Sequence, residues 1–129
     1  MQRCFTSILA ENVEHAAAFY ETLLGMTRHF NSDWFIILTH PDRPDLEYGV
    51  LDRSHNVVPD GASGIPSGIL VTFVVADCDT VHAAALQRGY EIVEPPTDMP
   101  YGQRRMILKD PAGTFVDISS PASERPPLP

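Results

Sequence analysis

One pattern occurs twice along this chain. A run of apolar residues at helical spacing stops at Gly25, and a second stops at Gly89, 64 residues further on. In the first, Asn12 offers an N-cap, and Glu11 and Glu14 sit at the positive end of the helix dipole. Val13, Ala16, Ala17, Tyr20, Leu23 and Leu24 form the apolar stripe, and Gly25 supplies the left-handed stop. In the second, Asp77 or Asp79 caps a helix through Val81, Ala84, Ala85 and Leu86. Each helix pattern follows one strand-like run and precedes three more. The runs are 3–10, then 26–31, 34–39 and 46–52; and 68–76, then 90–94, 104–109 and 114–119. Asp110-Pro111-Ala112-Gly113 is the turn between the last two, and Pro95 to Pro100 reads as a rigid loop. A unit with one helix covers one face of its sheet. Two such units can leave their other faces to curl together. The expected architecture is therefore α+β, two βαβββ modules with a cleft between curled mixed sheets.

At 129 residues the chain has room for one domain. The expected division is 3–53 for the first module, 54–67 for a Pro/Gly/Ser-rich linker and 68–120 for the second module. A Pro-rich tail follows at 121–129. Seventeen acids against nine bases give a net charge of −8. That excludes nucleic acid and anionic membrane as partners, since both require a basic surface. No apolar run approaches the ~20 residues of a membrane span, and the N-terminus lacks a signal-peptide core. Cys4 and Cys78 show neither metal spacing nor a disulfide framework, so reduced thiols and a cytoplasmic location are expected.

Three short motifs, in order, carry a resemblance. Ala18-Phe19-Tyr20-Glu21-Thr22-Leu23-Leu24-Gly25-Met26 closes the first helix, and Val75-Ala76-Asp77-Cys78-Asp79 opens the second. Gly102-Gln103-Arg104-Arg105 and Lys109-Asp110-Pro111-Ala112-Gly113-Thr114-Phe115-Val116-Asp117 form a closing hairpin. Together they resemble the vicinal oxygen chelate superfamily of glyoxalase I, bleomycin-resistance proteins, fosfomycin-resistance enzymes and extradiol dioxygenases. The resemblance spans residues 3–120 and implies a homodimer and a cleft that can hold a divalent metal.

In metal-using members, His, Gln or Glu ligands come from the first and fourth strands of each module. Carried over from the motifs, these positions fall on Phe5, Glu47, Leu70 and Asp117. Phe5 and Leu70 have no lone pair to donate, so a family-type metal is not expected. Glu47 and Asp117 could at most hold a weak divalent ion with water.

By the strand period of two, Phe5, Ser7 and Leu9 share one face, and Leu70, Thr72 and Val74 share another. With the ligand positions facing inward, the cleft has apolar walls and sparse polar points at Ser7, Thr72, Glu47 and Asp117. Such a lining suits a small organic molecule. Trp34 and Tyr101 are candidate stacking surfaces. Arg104 or Arg105, on opposite faces, could grip an anionic group, with Arg104 as the preferred choice. The five histidines, His15, His29, His40, His55 and His82, show no paired spacing and read first as surface residues; of these, His40 and His55 are the best placed to reach a cleft mouth. The expected function is metal-independent small-molecule binding, like that of the bleomycin-resistance proteins, with no cofactor. The alternative is a glyoxalase-type lyase or isomerase in which Asp117 acts as base, with or without a weak metal shared with Glu47.

Overall fold

A computed structural model describes residues 1–122. The chain divides into two compact units. One comprises residues 1–66 with 111–113; the other comprises 67–110 with the described residues from Thr114 to Ala122.

The first unit contains β1 (Thr6–Ala10), α1 (Val13–Leu24), β2 (Thr27–Asn31), β3 (Phe35–His40) and β4 (Arg43–Asp52). Its sheet has the order β1-β4-β3-β2, with β1 parallel to β4 and the other pairs antiparallel. The helix begins where the sequence places it. Asn12 Oδ1 accepts a hydrogen bond from the His15 amide at 3.0 Å, and Gly25 ends the helix at φ 68°. Its buried stripe is Val13, Ala16, Ala17, Phe19, Tyr20 and Leu23. The sheet face beneath it carries Ile8, Ala10, Ile36, Leu38, Tyr48 and Val50, all at most 4% exposed. Each large side chain so buried contributes about 1.5–3 kcal/mol. Tyr20 and Tyr48 meet edge to face within this core, their hydroxyls 2.9 Å apart. His40 closes the C-terminus of the helix. Its Nε2 donates to the Leu24 carbonyl at 3.0 Å, while Nδ1 accepts from the Asp42 amide at 3.0 Å. With both ring nitrogens engaged, His40 is a structural cap, as its leading reading as a histidine outside any site allows.

The second unit repeats the plan with β5 (Leu70–Val74), α2 (Cys78–Arg88), β6 (Glu91–Asp98), β7 (Gln103–Lys109) and β8 (Phe115–Pro121). The sheet order is β5-β8-β7-β6, again with the first pair parallel. Asp77 caps α2 by accepting from the Asp79 amide at 2.9 Å, and Gly89 ends it at φ 71°. Met106, Leu108, Val116 and Ile118 are fully buried in alternation along β7 and β8. From α2 itself, only Cys78 and Ala85 are buried.

Two boundaries differ from the sequence reading. β6 runs through Pro95 and Pro96, where a loop was expected. It is the sheet's outer strand, and its register shifts on both sides of Glu94, so the missing proline N–H groups cost it little. Pro121, assigned to the tail, ends β8. The remaining tail residues, 123–129, lie outside the described residues.

Candidate functional site

Each sheet turns one face to its helix; no helix of its own unit covers the other, open face, although Ile37, Ile107, Asp117 and Ser119 are buried there. Burial follows the strand alternation. Ile8 and Ala10 lie on the helix side of β1, and Ser7 and Leu9 remain half-exposed on the other side. In β5, Leu70, Thr72 and Val74 are exposed, while Val71 and Phe73 alternate with them.

The open face of the first sheet carries a continuous aromatic row. The Phe35 ring lies 6.4 Å from Phe5, 6.0 Å from Phe30 and 5.8 Å from Trp34, centroid to centroid. Trp34 in turn stacks on His55, at 3.9 Å and 14° between planes. His55 Nδ1 accepts from the Val57 amide at 3.2 Å, which fixes the ring against the indole. Phe30 is 48% exposed. β4 leaves room for the Phe35 ring at Gly49, where a Cβ would meet Ser7 Oγ at 2.5 Å and Phe35 Cε1 at 3.2 Å.

Polar groups close one end of this row. Arg3 Nε donates to Glu47 Oε2 at 2.7 Å, and its Nη2 bonds the other carboxylate oxygen. The same guanidinium lies 4.9 Å from the centroid of Phe5. His29 Nε2 is 3.8 Å from Glu47 Oε1. The hydrogen-bonded guanidinium of Arg3 holds the Glu47 carboxyl below the usual glutamate range. Three of the sequence-predicted residues, Phe5, Ser7 and Glu47, thus share one surface, and Trp34 adjoins it by stacking on Phe35. Sequence reasoning missed Arg3, His29 and Phe30 there.

The open face of the second sheet centres on Asp117. Its Oδ1 accepts from Ser119 Oγ at 2.6 Å and its Oδ2 from Thr72 Oγ1 at 3.1 Å. Thr72 stands directly opposite it in the β5–β8 ladder. Asp117 itself is buried, with the exposed side chains of Leu70 and Phe115 on the same two strands. Arg105 belongs to this face and pairs with Glu94 at 3.3 Å.

Arg104 does not. Its Nε donates to Asp79 Oδ2 at 2.9 Å and its Nη1 to Asp98 Oδ1 at 3.3 Å, on the helix-bearing side of the sheet. There it lines an open, polar hollow of about 480 Å³ together with Asp77, Asp79, Asp98 and Ser120. The preference for Arg104 as the inward-facing arginine is therefore corrected to Arg105. The register explains it: Ile107 stands opposite Asp117, so Arg105, two residues away, shares its face. Tyr101 is exposed in the turn between β6 and β7.

The chain matches the family model for the Glyoxalase/Bleomycin resistance protein/Dioxygenase superfamily over residues 5–118. It belongs to that superfamily. Among curated proteins it is 27% identical over 121 residues to CFP32 of Mycobacterium tuberculosis and of Mycobacterium bovis, a protein named provisionally as a glyoxylase. The match covers 94% of this chain and 44% of CFP32, so the chain spans less than half the length of that relative. Two solved structures show the same fold. One is a glyoxalase/bleomycin resistance protein/dioxygenase from Nocardioides, with a TM-score of 0.72 and 23% identity, covering 100% of this chain and 89% of that one. The other is a superfamily member from Sphaerobacter thermophilus, with a TM-score of 0.74 and 21% identity, covering 93% of this chain and 97% of that one.

The superfamily's metal chemistry can be tested against the side chains at the four ligand positions. Phe5 is a stacking ring and Leu70 an exposed aliphatic. Glu47 has both oxygens engaged by Arg3. Asp117 has both oxygens engaged by hydroxyls. Two positions lack donor atoms and the other two are internally satisfied, so this donor set does not fit the superfamily's four-ligand ion. Among the described residues, no three His, Cys, Asp or Glu side chains converge as a metal-binding group. No helix of the described residues is long and apolar enough to cross a membrane.

Proposed function

We propose that this superfamily member is a small-molecule-binding protein without a resident metal or cofactor, of the kind the bleomycin-resistance proteins represent. It takes an aromatic ligand on the open face of its first sheet. The observation that carries this reading is the row Trp34, Phe35, Phe5 and Phe30. Three of these rings, Phe5, Phe35 and Phe30, are gathered on a face that no helix of their own unit covers, Trp34 stacks on Phe35, and Phe30 is half in solvent. Offset rings add affinity for a planar ligand beyond their area, and preformed ones cost little ordering. A second copy of the chain is the proposed oligomeric partner.

Trp34 is the chain's single tryptophan, so its emission reports on this surface. Titration with a panel of aromatic small molecules that includes a basic glycopeptide antibiotic should change Trp34 emission in a saturable way. Phe35→Ala should weaken binding at least about tenfold, as expected where a central aromatic anchor is removed. A panel without any saturable response overturns the reading.

A second reading rests on Asp117. A buried carboxylate oriented by two hydroxyls on an open sheet face has the form of a general base for proton transfer in a lyase or isomerase. Assay of the purified protein with the hemithioacetal of methylglyoxal and glutathione tests it. Turnover abolished in Asp117→Asn, in protein that still folds, establishes this reading over simple binding. Stoichiometric, tightly held nickel, zinc or iron in the purified protein overturns the metal-free part of both readings.

A further inference from the structure

The polar end of the aromatic row is already occupied by a planar cation belonging to the chain itself. The Arg3 guanidinium makes a two-point contact with Glu47 and lies over the Phe5 ring at 4.9 Å. Its two sides are unequally held. The Glu47 side chain is 14% exposed and fixed on β4, whereas that of Arg3 is 52% exposed. Arg3 also precedes the β1–β4 ladder, which begins at Thr6, so no sheet hydrogen bonds of that ladder hold its backbone. The carboxylate, fixed on β4, and the Phe5 ring, held by its stack on Phe35, are the built part of the site, and the more exposed arginine lies against both.

We infer that Arg3 stands in for the cationic head of the ligand. The surface recognises an aromatic molecule bearing a planar cation of the amidinium or guanidinium class. The head displaces Arg3 from Glu47 and Phe5, and the ring lies along Phe35 toward Phe30. This rests on the reading of the first sheet as the binding face and adds the ligand's chemical class. Three features support it. A carboxylate and a planar cation of this type match in bidentate geometry. A ring face attracts the same cation. The net charge of −8 draws cations toward the protein at long range. His29, at 3.8 Å from Glu47, remains on the other side of the carboxylate after Arg3 leaves.

Benzamidine, benzamide and benzoate form a matched cationic, neutral and anionic set. Binding to the full chain can be followed by Trp34 emission and by calorimetry. Wild-type protein should prefer benzamidine to benzamide. Arg3→Ala should bind benzamidine about tenfold more tightly than wild type, because the competing internal cation is gone. Arg3→Lys should fall between the two. Glu47→Gln should bind benzamidine and benzamide alike. Arg3 lies outside the ladder, so its variants keep the fold, and thermal melting verifies that each variant does. Equal binding of all three probes overturns the cationic head while leaving an aromatic binding face. Absence of any binding overturns both. Unchanged or weaker benzamidine binding in Arg3→Ala shows that Arg3 is not a stand-in. A wild-type dimer that dissociates in Phe30→Asp, and that benzamidine leaves intact, shows that a second copy covers the face instead.

Discussion

Ser7 and Gly49 stand opposite one another in the β1–β4 ladder, and the serine hydroxyl occupies the space that a side chain on residue 49 would need. A Cβ there would come within 2.5 Å of Ser7 Oγ and 3.2 Å of the Phe35 ring. Gly49→Ala should therefore cost about 1–3 kcal/mol in urea unfolding, as overpacking does, and should tilt Phe35 out of the aromatic row. Adding Ser7→Ala removes the closest contact but not the one to Phe35, so the double variant should recover part of the loss. Full additivity of the two substitutions would show that they do not share this space.

The stack of His55 on Trp34 makes a second prediction. The imidazole lies 3.9 Å from the indole, nearly parallel to it, and its Nδ1 accepts from the Val57 amide. His55→Ala removes the ring that covers this side of Trp34, so Trp34 emission at a fixed pH should shift to longer wavelength and become more accessible to a neutral quencher such as acrylamide. Unchanged emission and quenching would show that His55 does not cover the indole.

Arg28 joins β2 to the first helix. It donates to Glu14 at 2.8 Å and 2.9 Å and to Glu21 at 2.9 Å, and it holds the Glu14 carboxyl below its usual range. A carboxylate with a depressed folded pKa stabilises the protein at pH values above its unfolded pKa. That contribution is lost as pH falls through the folded value. Arg28→Met should thus be less stable than wild type near neutrality, by about 1 kcal/mol or less because the pairs are partly solvated. The difference should shrink as pH falls below about 4.3, the ordinary glutamate value. A gap that stays constant into acid would assign the loss to the arginine's packing instead.

The two thiols should react very differently. Cys4 is exposed, while Cys78 is fully buried, with its Sγ donating to the Ile118 carbonyl at 3.3 Å. Burial pushes the Cys78 thiol up to about 11. Since the thiolate is the reacting form, a disulfide reagent at pH 8 should titrate one thiol quickly in native protein and both in denaturant. Two fast thiols in the native state would contradict the packing at Cys78.

Helix ends were legible in the residues because caps are local. Asn12, Asp77, Gly25 and Gly89 act through bonds spanning two to four positions. The alternation of β1 and β5 was equally local, and it correctly grouped Phe5 with Ser7 and Leu70 with Thr72. The choice between Arg104 and Arg105 was not local. It depends on which residue of β7 faces Asp117, and that register is set across a hairpin. The capping role of His40 escaped for the same reason, since its partner, the Leu24 carbonyl, is sixteen residues earlier in the chain. Arg3 went unnoticed because an isolated arginine near a chain end carries no pattern. Only the placement of Glu47, on another strand, gives it a role.

The two helices are not held alike. α1 buries six side chains, and α2 buries two. In terms of opening reactions, each element exchanges its amide protons at a rate set by the packing that must first be broken. The helix of the second unit should expose its backbone in small excursions that leave the first helix intact. A structure written twice in one chain would then melt in two stages on the timescale of exchange, with the aromatic face resting on the stage that opens last.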